Sequence, residues 1–296
     1  MTRNVSKEEK TIRCLIDADL LLFEAGLAGQ FKDEQTGEIV MLPFDNVKES
    51  FDQKIREIED ECWANEPSIL YFTGDEKFFR LLNKERKRRG EEVVEFVPNF
   101  RFEKAKTVPY KNRKGERPLH YYNLRAYAIS AYETKVSNGM EADDLLAIDQ
   151  DQEGETTIIC SRDKDLRQVP GMFYSWECGY QPAYGPKKIG ELGELSLPKP
   201  SKLEGTGLKF FFSQVITGDR VDTIPGLPKG GPVLAYKTLK DCESEEELYE
   251  KVSHLYEERV GEGWEDYLEE QLSLLWMVRE VDAGGRPVLY RPPQRR

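Results

Sequence analysis

Three short apolar runs in this chain each stop at an aspartate. Ile12–Ile16 ends at Asp17, Ile69–Phe72 at Thr73-Gly74-Asp75, and Thr157–Cys160 at Ser161-Arg162-Asp163-Lys164-Asp165. A further strand pattern covers 171–176, and 92–98 reads as extended. Helical patterns fall between them, over 46–63, 78–90, 120–135 and 140–150. Strand and helix alternating at this spacing predict an α/β fold, with a mainly parallel central sheet and flanking helices. In such a sheet the strand ends share one edge, and ligands bind in the crevice beyond it. The aspartates are therefore placed where chemistry is done. The Gly/Pro-rich stretch 181–207 reads as a connector, and 208–277 as a smaller helical subdomain.

Glu141, Asp143 and Asp144 crowd the start of a helix in "MEADDLLAIDQ", and Asp219 and Asp222 in "ITGDRVDTIPGL" share a helical face. Singly, each has an ordinary explanation as a dipole complement, turn residue or N-cap. Together with Asp17, Asp75, Asp163 and Asp165 they make nine carboxylates directed at one edge. Hard oxygen donors without His or Cys select Mg²⁺ or Mn²⁺. More carboxylates than one ion can use suggest two ions, ~4 Å apart, acting on a phosphate ester. Asp19 is left outside this set.

Five cysteines are scattered without a CxxC, and only two histidines are present, so a disulfide framework and a structural zinc site are not expected. Net charge is −12, yet Lys77–Arg117 holds fourteen Lys/Arg against six Asp/Glu. That asymmetry suits a nucleic-acid contact inside an acidic protein, although Lys84–Arg89 also reads as a solvated helix face. Within "TVPYKNRKGERP", Tyr110 offers a ring for base stacking, and Lys111, Arg113 and Lys114 offer cations for phosphate. In "DTIPGLPKGGPVLAYKTL", the turn carrying Gly226, Lys229, Gly230 and Gly231 could hold a duplex phosphate on backbone N–H groups, or be a mere loop. No apolar run is long enough to span a membrane, and the N-terminus is polar without a signal-peptide core, so a cytoplasmic location is expected.

Five blocks in order, "LIDADLLLF", "YKNR", "MEADDLLA", "IICSRDKDL" and "ITGDRVDTIPGLPKGG", resemble the flap endonuclease/5′-nuclease family, nearest to the bacteriophage 5′→3′ exonucleases that remove primers. The resemblance implies a PIN-like nuclease core over 1–185, a basic helical arch over 77–117, and a duplex-gripping helical subdomain over 205–280 with its hairpin at 223–232. An extended tail over 281–296 completes the chain. It implies that the nine carboxylates hold two Mg²⁺ or Mn²⁺ ions and that Lys111 and Arg113 act on the scissile phosphate. K⁺ at the hairpin is implied too. The expected substrates are duplex DNA with 5′ ends or flaps and RNA–DNA hybrid, acted on by a monomer, in a bacterial host cell if the chain is viral. Two rivals remain: a PIN-like single-strand RNase, and a non-catalytic replication protein that keeps the fold.

Overall fold

The computed structural model describes residues 11–111 and 115–293. The first half runs β1 (Arg13–Asp17), α1 (Ala18–Ala28), β2 (Gln30–Lys32), β3 (Ile39–Met41), α2 (Phe44–Glu61) and β4 (Ile69–Phe72). Then come α3 (Glu76–Arg88), α4 (Phe100–Lys104), α5 (Tyr121–Ala131), β5 (Glu133–Val136) and α6 (Ala142–Glu153). The remainder is β6 (Thr157–Cys160), β7 (Gly171–Ser175), β8 (Tyr184–Ile189), β9 (Leu195–Lys199), β10 (Lys202–Gly205) and α7 (Gly207–Thr217). It closes with α8 (Pro232–Leu239), α9 (Glu245–Val260) and α10 (Trp264–Leu275).

Six strands form one sheet in the order β5-β4-β1-β6-β7-β8. β5 through β7 are parallel, and β8 alone runs antiparallel, along β7. The chain leaves β1 toward β4 and β5, then returns to place β6 on the other side of β1. That reversal opens a crevice beyond the carboxyl ends of β1 and β6, as in other doubly wound sheets. The central strands are buried on both faces, as continuous apolar runs in a parallel sheet must be. Alternate residues separate cleanly. Cys14, Ile16, Leu70, Phe72 and Cys160 pack against α1, α2 and α5, whereas Leu15, Ile69, Tyr71 and Ile159 pack against α6.

A second apolar cluster joins α7 to α10. Phe211, Phe212, Val215 and Ile216 of α7 meet Leu239, Leu248, Val252, Tyr256, Leu268 and Leu272. Phe211 is the hub, with ring centroids of Phe212, Trp276 and Tyr290 at 5.0, 5.1 and 5.3 Å. Between residues 77 and 117, α3 and the short α4 are helical, and among the described residues 92–98 forms no strand.

Three segments differ from the sequence expectation. The helix expected to run to residue 135 stops at Ala131, and Glu133–Val136 forms the edge strand β5 beside β4. An edge strand buries little, so its polar, alternating residues carried no apolar signal. The expected connector 181–207 contains β8 and the β9–β10 hairpin. Its Gly and Pro residues fit because exposed edge strands tolerate them. Gly193 is required there, since a Cβ would lie 1.8 Å from the Thr206 carbonyl oxygen. The β2–β3 hairpin is a third element with no sequence signal. Among the described residues, no helix is long and apolar enough to cross a membrane.

Phe211→Ala should destabilise the protein by about 3–5 kcal/mol, read by equilibrium denaturation, because it empties the centre of the second core.

Candidate metal centre

The carboxylates are set by helix starts. Asp17 ends β1 and caps α1, accepting from the Leu20 amide, while Ser161 Oγ donates to its Oδ2 at 2.7 Å. Asp163 caps a 3-10 helix, Lys164–Gln168, and accepts from the Asp165 amide at 2.8 Å. Glu141 caps α6, and Asp143 lies in its first turn. Thr73, beyond β4, receives the Ala142 amide on its Oγ1 at 3.1 Å and so ties the start of α6 to the sheet edge. Capping residues gather at strand-to-helix turns because four amides there lack partners.

Helix α7 brings in the rest. Asp165 accepts from Gln214 Nε2 at 2.6 Å. Asp219, beyond the end of α7, accepts from the amides of Val221 and Asp222 and meets Lys164 Nζ at 3.3 Å. Asp222 takes the Tyr110 hydroxyl at 2.9 Å, and its carbonyl takes the Lys111 amide at 3.0 Å. Lys111 Nζ lies 2.8 Å from Glu141 Oε1 and 3.8 Å from Asp222. Asn99 also donates to Glu141 at 3.0 Å, and the Tyr110 hydroxyl oxygen lies 3.3 Å from the same carboxylate. Lys111 adopts a left-handed backbone, φ 47°, that turns it into this cluster.

The electrostatics bind the acids into one group. Burial, then Asp19 and Asp163, push Asp17 up to about 7. Asp143 is pushed well above the carboxylate range by burial and by Asp17, Asp163 and Glu141. Burial and Asp163 raise Asp165 to about 8, and burial also raises Asp163, Asp222 and Asp19. Lys111 and Lys164 oppose these shifts at Asp163. Eight acids, Asp17, Asp19, Glu141, Asp143, Asp163, Asp165, Asp219 and Asp222, are thus coupled electrostatically, with Lys111 and Lys164 as the cations that lower Asp163. That donor set fits hard divalent cations.

Asp19 belongs with them, although its position in the sequence had left it aside. Its Oδ2 accepts from the Thr73 amide at 2.7 Å, and its Oδ1 is buried without a partner. Its placement two residues after Asp17, in the first turn of α1, was the available signal.

Asp144 departs from expectation. It is 0% exposed, and Arg101 grips both its oxygens, at 2.6 and 2.9 Å. The Glu141 and Val278 amides donate to the same carboxylate. With its oxygens so engaged, it is a structural acid and not a ligand. Asp75 is answered by cations as well: it caps α3, and Arg117 and Arg125 each lie 3.4 Å from its Oδ2. Arg101, itself 1% exposed, gave no signal within a generally basic segment.

In the hairpin, Gly226 and Gly230 are packing glycines. A Cβ would sit 2.3 Å from the Gly218 nitrogen in one case and 2.0 Å from the Ile216 oxygen in the other. Gly231 precedes α8 in open space, and Lys229 beside it is left-handed at φ 57°. Arg113 and Lys114 lie outside the described residues.

No family model matches the chain. It is 29% identical over 153 residues to DNA polymerase I of Bacillus caldotenax, covering 49% of this chain and 16% of that protein. It is 30% identical over 139 residues to DNA polymerase I of Rhizobium leguminosarum, covering 44% of this chain and 12% of that protein. The chain thus spans less than a fifth of the length of the polymerases it matches. Among solved structures it is similar to bacteriophage T5 5′-exonuclease with divalent zinc ions bound (14% identity, TM-score 0.49, 90% of this chain and 100% of that one). It is also similar to a T5 flap endonuclease variant in a pseudo-enzyme-product complex with DNA and metal ions (14%, TM-score 0.45, 89% and 98%). The catalytic core of Rad2 in complex with DNA substrate is a third (11%, TM-score 0.40, 89% and 73%). The similarity, then, is to 5′-nucleases and to DNA polymerase I.

Two outcomes are expected. The folded pKa values of about 7 for Asp17 and about 8 for Asp165 lie above the ~3.9 of an unfolded aspartate, so the folded state holds protons that the unfolded chain has released. Their stabilisation is complete below about pH 4 and is lost as pH rises through 7 to 8. Thermal melts of chelator-treated protein should fall across that window, and Mg²⁺ should flatten the fall. Separately, Arg101→Met should cost on the order of 3–5 kcal/mol by chemical denaturation, because it strands a buried carboxylate, and adding Asp144→Leu should recover part of the loss.

Proposed function

We propose that this chain is a divalent-metal-dependent 5′-nuclease that hydrolyses phosphodiester bonds at 5′ ends or 5′ flaps of duplex DNA and at RNA primers in hybrid. The observation that carries the reading is the gathering of eight buried or half-buried acids at the crevice beyond β1 and β6, opposed chiefly by Lys111 and Lys164. The similarity of about half the chain to DNA polymerase I supports an action on DNA.

In this reading Asp17, Asp19, Glu141, Asp143, Asp163, Asp165, Asp219 and Asp222 hold two Mg²⁺ or Mn²⁺ ions, with Asp75 at the edge of the group. Bound there, the ions supply an acidified water and neutralise charge on the phosphate and its leaving oxygen. The chain's own residues do the remainder. Asn99 fixes the direction of the Glu141 carboxylate, and Tyr110 that of Asp222. Ser161 orders two acids at once, donating to Asp17 and accepting from the Asp163 amide at 2.9 Å. Lys111, whose ammonium already lies among these acids, would offer it to a non-bridging phosphate oxygen. That is stabilisation aimed where charge develops. Arg113 is proposed to assist it, and Lys114 to meet the adjoining phosphate. Past Pro232, which has no N–H, the Val233 and Leu234 amides in the first turn of α8 suit a duplex phosphate. Gly226, Lys229 and Gly230 shape that turn, which K⁺ is proposed to complete. A monomer working in the cytoplasm of a bacterial cell is the proposed setting.

The test uses a 5′-labelled duplex, a 5′-flap substrate and an RNA–DNA hybrid, with and without Mg²⁺. Mononucleotides or short oligomers should leave the 5′ end only with metal. Asp143→Asn/Asp163→Asn should abolish cleavage while the duplex is still bound, and Lys111→Ala should lower kcat by about 10²–10³. Binding of the duplex by wild type without cleavage of any substrate would sink the reading in favour of a DNA-binding scaffold.

A further inference from the structure

Cys14, Cys62 and Cys160 lie far apart in the chain without a metal-ligand spacing. The fold brings them together. Cys14 is on β1, Cys160 on the adjacent β6, and Cys62 is the residue that ends α2. In the β1–β6 register Cys14 pairs with Ile158, and Ile16 with Cys160, so the two cysteines are near neighbours on one face of the sheet. Cys62 closes over them. All three are 0% exposed, and their sulfurs all lie within 4.8 Å of one another, with Cys62 Sγ and Cys160 Sγ 3.7 Å apart.

We propose that this triad is a second cation site, distinct in chemistry from the carboxylate centre, that takes one soft, thiophilic ion such as Zn²⁺ or Cu⁺ in three-sulfur coordination. A metal–sulfur bond of ~2.3 Å places three sulfurs around one ion ~4 Å apart, a spacing compatible with the 3.7 Å between Cys62 and Cys160 and the 4.8 Å limit for all three. Thiolates select soft ions, and the carboxylate centre selects hard ones, so the two sites do not compete for the same metal. A disulfide between Cys62 and Cys160 would require the sulfurs to close to ~2.05 Å and would leave Cys14 aside. One of the three favours the thiolate already: Cys160 and Cys62 hydrogen-bond toward Cys14 and lower it, whereas the bond to Cys14 raises Cys62 and burial raises Cys160, so those two would lose their protons only to an incoming cation.

The ion would pin β1 and β6 to the end of α2 just below the point where both strands deliver their aspartates. Its binding energy would therefore appear as folding stability. The inference stands apart from the nuclease reading, and its measurement does not use activity.

The full chain, reduced and stripped by a chelator, is titrated with Cd²⁺ in excess Mg²⁺, which fills the carboxylates. Because the triad is closed, Cd²⁺ is supplied both to folded protein and during refolding from denaturant. One Cd²⁺ per chain, an ultraviolet thiolate-to-metal charge-transfer band and a raised Tm are expected. Displacement of that band by Zn²⁺ or by Cu⁺ supports the site and identifies its preferred ion. Cys62→Ser should lose the band and the Tm rise, and Cys178→Ser should keep both. Should Cys62→Ser fail to fold, Cys160→Ala carries the same comparison. Absence of the band from wild type loaded by either route overturns the proposal, as does its persistence in the Cys14→Ser/Cys62→Ser/Cys160→Ser variant.

Discussion

One buried ion pair joins the parts of this molecule that must act together. Arg101 leaves α4, in the basic segment, and closes on Asp144 in the first turn of α6. Its remaining N–H groups reach the carbonyls of Leu274 and Trp276, at 3.0 and 2.8 Å, where α10 ends. Taking both charges out of water is costly, and the pair persists because nearly every donor and acceptor is answered. The register it fixes reaches the site directly, since Asp144 also receives the Glu141 amide. A second strut lies close by. Glu270 of α10 accepts from the amides of Lys106 and Thr107, at 2.9 and 2.8 Å, and from the Thr107 hydroxyl. Helix α4 and the chain just after it are therefore anchored to α10 while Tyr110 and Lys111 reach back over Glu141.

The acids themselves work against the fold. Burial and mutual repulsion raise their affinity for protons, so without cations the centre is a local loss of stability. The neighbouring apolar layers offset it: β1, β4 and β6 are buried on both faces, and α7 carries its aromatic hub immediately before Asp219. A strained, charge-rich site held by a rigid scaffold is the usual arrangement where preorganised electrostatics do chemistry.

Much of this was legible in the residues. The parallel strands and their terminal aspartates followed from apolar runs of the right length, because burial on both faces leaves an uninterrupted pattern. The edges were not legible. β5, β8 and the β9–β10 hairpin bury little, and their Lys, Thr, Gly and Pro residues carry no hydrophobic period. Within the site, charge type alone could not separate Asp143, which faces its fellow acids, from Asp144, which faces Arg101. One residue along a helix turns a side chain by about 100°. The cysteine triad was hidden for a related reason, because its members come from different elements and local spacing says nothing about them.

Four of the acids also begin helical turns: Asp17 for α1, Asp75 for α3, Glu141 for α6, and Asp163 for the turn after β6. Each therefore answers to two selective demands, one local and one collective. Asparagine satisfies the first as well as aspartate does, and fails the second because it carries no charge. A lineage that lost the need for cations could thus drift to asparagine at these positions and keep its shape, whereas drift to alanine would erode the fold as well. Among descendants of such a chain, the identity of four capping residues would record whether the charge was still in use.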